Sequence, residues 1–153
     1  MATSTEKTER NKRGRKSGEE VIHQVAVALK HVQDLEELEV NPLARLPAVR
    51  ELARGKYREA AVPAGSALRT LLIDSAKIVL RDLEGLPRYQ RELSFLKAYV
   101  FSGSNVAEIS RILGLSREHV ARSIQRRTIR LVARVFLVKA NHPKSDGDVN
   151  GGI

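Results

Sequence analysis

From Ile22 to Val138 the apolar residues recur every three or four positions, and no run alternates long enough to read as a strand. Ile22, Val25, Leu29, Val32 and Leu35 form one such series. Leu68, Leu71, Leu72, Ala76, Val79 and Leu83 form a second, and Leu86, Tyr89, Leu93, Leu96 and Val100 a third. A spacing of three and four is the repeat of an amphipathic helix; a half-buried strand would repeat every two. The chain is therefore predicted to be all-α. Gly and Pro punctuate it. The first series predicts a single helix over 19–39, ended by Asn41-Pro42, where Asn caps and Pro fits the next first turn. Pro47 and Gly55 bracket one or two short helices between Leu43 and Arg54. Pro63-Ala64-Gly65-Ser66 reads as a turn with Ser66 as N-cap, Gly85 as a stop, Pro87 as a start, and Ser102-Gly103-Ser104 as a break.

Aromatic residues make up 4% of the chain and Trp is missing, so the core must be assembled from Leu, Val, Ile and Ala. With no Cys, disulfides, thiolate metal sites and cysteine nucleophiles are excluded. The four histidines, 23, 31, 119 and 142, show no metal-ligand spacing, and there is neither a Gly-rich phosphate loop nor a serine elbow. The expectation is a protein that is not an enzyme and takes no metal or cofactor. No segment reaches the roughly 20 apolar residues of a bilayer span. The basic N-terminus lacks the apolar stretch of a secretory signal, so the expected place is the cytoplasm, at the nucleoid, with no membrane partner.

The tightest local constraint lies between Ser104 and Ile124. A short helix ends at Leu113, and Gly114 supplies the left-handed backbone that a sharp corner needs. Leu115 is an apolar plug, and Ser116 is placed to cap a second helix. Ser110 is small where two helices approach. Ile109, Leu113, Leu115, Val120 and Ile124 are the expected shared core. This pattern is that of a helix-turn-helix.

Charge is segregated around it. Residues 1–18 hold six Lys/Arg against two acids, residues 19–102 twelve against twelve, and residues 103–139 eight against two. Two basic segments flanking a neutral body are the footprint of a polyanion binder. The expected organisation is a disordered basic arm (1–18), one helical domain (19–139, with a helical body over 19–85 and the helix-turn-helix region over 86–139), and a disordered tail (140–153). In the arm, Lys12, Arg13, Arg15 and Lys16 suit a phosphate backbone or a minor groove.

The segment Asn105 to Arg127 resembles the helix-turn-helix of sigma factor region four and of LuxR-type regulators. It shares with them a small residue early, a Leu-Gly-Leu-Ser turn, and Val followed four later by an apolar residue. Leu86-Pro87-Arg88-Tyr89-Gln90-Arg91-Glu92-Leu93 is similar to their opening helix. Ser110 departs from the usual Ala, and His119 from the common Thr. The resemblance spans residues 80–131, and the overall layout is weakly similar to small phage regulators of the ArpU and RinA kind. It implies a sequence-specific transcription regulator whose second helix enters the major groove of double-stranded DNA. With Val120 and Ile124 turned inward, a 100° step points Glu118, His119, Arg122, Gln125 and Arg126 outward. Glu118, His119, Arg122 and Gln125 are the candidate base contacts, since Arg suits guanine and Gln adenine. Ser104, Asn105, Arg111, Ser116, Arg117 and Arg126 are the candidate phosphate contacts, the first two through backbone N–H groups.

On the same wheel Arg127 falls near the inward face, while Ile129 and Phe136 continue the outward face of Arg122. The apolar stretch to Val138 therefore needs a cover, expected within the domain, the alternative being a second copy in a homodimer. Two other readings share the motif: a small-terminase-like phage packaging or replication subunit, and an adaptor that binds RNA polymerase or a sigma factor.

Overall fold

The computed structural model describes residues 18–55 and 60–141, and every regular element among them is helical. The expected basic arm and most of the expected tail lie outside the described residues. Helix α1 covers 18–30. Then come α2 (Leu35–Val40), a 3-10 turn (Pro42–Arg45), α3 (Pro47–Arg54), α4 (Ala64–Leu83) and a second 3-10 turn (Pro87–Tyr89). Helix α5 (Gln90–Leu96) continues as a π turn (Lys97–Phe101), and α6 is Val106–Leu113. Helix α7 (Arg117–His119), a π turn (Val120–Gln125) and α8 (Arg126–Asn141) follow one another directly, with helical backbone angles at each junction. Among the described residues no helix is long and apolar enough to cross a membrane, and no cluster of three His, Asp or Glu could hold a metal ion.

Helix α4 is the axis, packed against α2, α3 and α8. Leu68, Leu72, Ala76 and Val79 of α4 meet Val25, Leu29 and Val32 from the first segment, Leu38 of α2, Val49 of α3, and Val132 and Phe136 of α8. Leu68, Leu72 and Phe136 are fully buried, each contributing roughly 1.5–3 kcal/mol. This packing covers most of the apolar stretch: Ile129, Val132, Ala133 and Phe136 are buried inside the domain, while Val138 at its end is 58% exposed.

Three boundaries differ from the sequence reading. The helix expected over 19–39 breaks at 31–33. Asp34 starts a new helix there, its Oδ1 accepting from the Glu37 N–H at 3.3 Å. The break lets Val32 stay buried while Leu35, its expected successor in the stripe, is 41% exposed and Leu38 takes over. Helix α4 starts at Ala64, two residues before Ser66. The capping acceptor is not a local serine but the distant Glu39, whose Oε1 accepts from the Gly65 N–H. A Cβ at Gly65 would lie 2.8 Å from the Leu35 carbonyl oxygen and 3.0 Å from the Glu39 nitrogen, so the two helices touch through bare backbone. Finally, α8 runs to Asn141, so Ala140 and Asn141, expected in the tail, are helical; Ala140 packs on the main core.

Candidate nucleic-acid interface

The corner forms as its residues dictate. The Asn105 Oδ1 accepts from the Glu108 N–H at 2.9 Å and opens α6. Gly114 ends it at φ 69°, ψ 30°, and the Leu115 N–H reaches back to the Ser110 carbonyl at 3.0 Å. This closure satisfies carbonyls that a helix end otherwise strands. The Ser116 Oγ then accepts from the His119 N–H at 3.0 Å, and the second helix begins. Ser110 is buried at the approach, its hydroxyl donating to the Ala107 carbonyl.

The corner has a core of its own, separate from the main one. Phe95, Ile109, Val120 and Ile124 are buried in it, with Leu113 and Leu115 packed half-buried at its edge. Phe95 is the member that the sequence reading missed. Glu92 and Phe95 of α5 and Tyr99 of the π turn form a second stripe, beside the one that carries Leu93, Leu96 and Val100 into the main core. One helix thus joins the two cores. Phe95 and Tyr99 stack at 5.0 Å with 21° between their rings. Leu86, counted in the single expected stripe, is 42% exposed.

The π turn Val120–Gln125 revises the wheel. A wide turn holds one extra residue, so everything downstream lags by about 100° relative to a regular helix. With that lag Ile129, Val132, Ala133 and Phe136 fall on the same side as Val120 and Ile124, and all six are buried. Ile129 and Phe136 therefore do not continue the face of Arg122, as a regular helix would require. Arg126, Arg130 and Arg134 do, and all are exposed. The rod from Arg117 to Asn141 has one buried side and one solvent side.

The same lag resolves Arg127. It is not inward; its side chain is 67% exposed and its Nη1 lies 3.4 Å from Oε1 of Glu92, which is 4% exposed. The other carboxylate oxygen, Oε2, is buried without a hydrogen-bond partner among the described residues. Gln125, expected to point outward, is half-buried and shares a hydrogen bond with Tyr99. Burial pushes the Tyr99 phenol above its ordinary value, and the bond to Gln125 partly offsets this.

Of the other expected base contacts, Glu118, His119 and Arg122 are exposed. Arg122 pairs with Glu118 at 2.8 Å, with side chains 79% and 66% exposed. An exposed pair of this kind contributes at most about 1 kcal/mol and exchanges readily. Of the expected phosphate contacts, Asn105, Arg111, Ser116, Arg117 and Arg126 are exposed. Ser104 is the exception: its N–H donates to the Ala98 carbonyl at 2.8 Å and is already used. Arg111, Arg117, Arg126, Arg130 and Arg134 make no ion pair with a described residue.

Two grooves border the exposed face. One, of about 510 Å³, lies between α1 (Glu19, His23) and Arg122, Arg126 and Arg130. The other, of about 380 Å³, lies between the start of α5 (Arg88, Arg91) and His119, Ser123 and Arg127. A scan against protein-family models finds no matching family, and searches of curated proteins and of solved structures find no match.

Proposed function

We propose that the chain is a sequence-specific DNA-binding transcription regulator that places the helix beginning at Arg117 in the major groove. The observation that carries this reading is the exposed arginine face. Arg122, Arg126, Arg130 and Arg134 lie four apart on one side of the rod, and among the described residues the only acid paired with them is Glu118. Like charges at that spacing within α8 repel by roughly 0.2–0.5 kcal/mol per pair. A polyanion turns that cost into attraction. Across 12 residues the stripe is about 18 Å long, so it outlasts a single groove contact and meets phosphate as well as bases.

Within the face, Arg122 and Glu118 are the base-edge candidates, at the exposed start of the helix. Arg111, Arg117 and Arg126 hold phosphates. Gln125 reads bases only after giving up its bond to Tyr99. The arm residues Lys12, Arg13, Arg15 and Lys16 lie outside the described residues. Helix α1, which follows them, borders the Arg122–Arg130 groove, so the chain enters the fold beside the reading face, where the arm adds salt-dependent affinity. The test is selection of bound sequences from random duplex DNA by the full chain. Enrichment of one motif supports the reading, and its symmetry reports whether two copies bind; recovery of unenriched DNA, or of none, argues against it.

A further inference from the structure

The groove at the start of α5 is cationic for reasons the helix-turn-helix does not explain. Arg88 and Arg91 are exposed on one wall. His119 and Arg127 stand on the other, and Ser123 lies between. The one acid in it, Glu92, is buried and already faces Arg127, and neither Arg88 nor Arg91 makes an ion pair with a described residue. The Arg88 guanidinium lies 5.4 Å from the centre of the Tyr89 ring, a contact that steadies a planar cation in an exposed position. Pro87 holds the first position of the 3-10 turn that carries Arg88.

The position of the groove matters as much as its charge. It flanks the exposed face of the Arg117 helix on the side away from α1, while Arg122, Arg126 and Arg130 border the α1 side. A helix in the major groove lies between two phosphate backbones about 12 Å apart. Arg126 and Arg130, on the α1 side, stand toward one of them. We infer that Arg88 and Arg91 each hold a phosphate of the second backbone, and that His119 faces this backbone rather than a base. The inference rests on the DNA-binding reading and extends it from one groove wall to both.

The experiment measures binding of the full chain to two fluorescein-labelled duplexes, one recovered by selection and one scrambled, by anisotropy over a salt series. The variant is Arg88→Ala/Arg91→Ala, with Glu36→Ala on α2 as a surface control and circular dichroism confirming the helical signal of each. Losing two phosphate contacts lowers the log–log salt slope by about 1.8 and weakens binding roughly 30-fold at about 0.15 M salt, for both duplexes alike. Phosphate contacts position without specifying, so the ratio between the duplexes stays the same. An unchanged slope, or a loss confined to the selected duplex, overturns the inference while leaving the function standing. Failure of the unsubstituted chain to bind either duplex overturns both.

Discussion

Glu92 and Arg127 form an asymmetric pair, and the asymmetry sets the sign of what each substitution does. The carboxylate is buried with one oxygen unpartnered, while the guanidinium is two-thirds in water at 3.4 Å. At that distance the attraction is about 1 kcal/mol in bulk water and about 5 kcal/mol at an effective dielectric of 20. Exposure of Arg127 places the value toward the lower end. Arg127→Ala leaves Glu92 buried with no counter-charge, at a cost of roughly 1–3 kcal/mol. Glu92→Met removes the same ion pair but also the desolvated charge, so its effect falls within about 1 kcal/mol of zero. The double variant is then more stable than Arg127→Ala alone. Urea unfolding followed by helical circular dichroism, compared at equal slope, reads all three. If Glu92→Met costs as much as Arg127→Ala, or if Arg127→Ala costs less than about 0.5 kcal/mol, the reasoning about stranded charge is refuted.

Gly65→Ala forces a methyl group against the Leu35 carbonyl and the Glu39 backbone, and destabilises by roughly 1–3 kcal/mol in the same assay. Ser116→Ala removes the acceptor for the His119 N–H, with an expected loss of about 1 kcal/mol, seen as faster amide exchange in the first turn of the Arg117 helix. The raised Tyr99 value gives a pH dependence with a fixed sign. Below pH 10.0 the phenol is neutral in both states; above it the unfolded chain ionises first, so stability falls as pH rises through the folded value. Tyr99→Phe removes that part of the alkaline loss, measured by urea unfolding between about pH 9 and 11.

Residue periodicity was enough for the fold class and the corner, because both depend on local chemistry. Gly114 and Ser116 act on neighbours within a few positions, and both occupy the places expected of them. The errors came where the deciding partner is distant or the helix is irregular. Ser66 was a reasonable cap until Glu39, 26 residues before Gly65, supplied the acceptor. Leu35 fits the first stripe on spacing alone, and only the turn at 31–33 removes it. The π turn had the widest effect. A wheel with a fixed 100° step carries no place for an extra residue, so it turned Gln125 outward, Arg127 inward and Ile129 onto the face of Arg122. The apolar run after Arg127 was itself the signal, since a solvent-facing Ile129 and Phe136 conflict with burial on the rest of the rod. Phe95 was legible too, through its spacing from Glu92 and Tyr99, but the stronger neighbouring stripe hid it.

The exposed arginine face is the centre of the account, and Arg122 is its most discriminating member. The decisive measurement is the affinity of the unsubstituted chain and of Arg122→Ala for a selected duplex and a scrambled one at fixed salt. Loss of a base contact lowers the ratio between the two duplexes by about 5- to 150-fold, equivalent to roughly 1–3 kcal/mol, with scrambled binding changed far less. A ratio that survives Arg122→Ala intact, in a chain that still binds DNA, would contradict the assignment of this face as the reader of sequence.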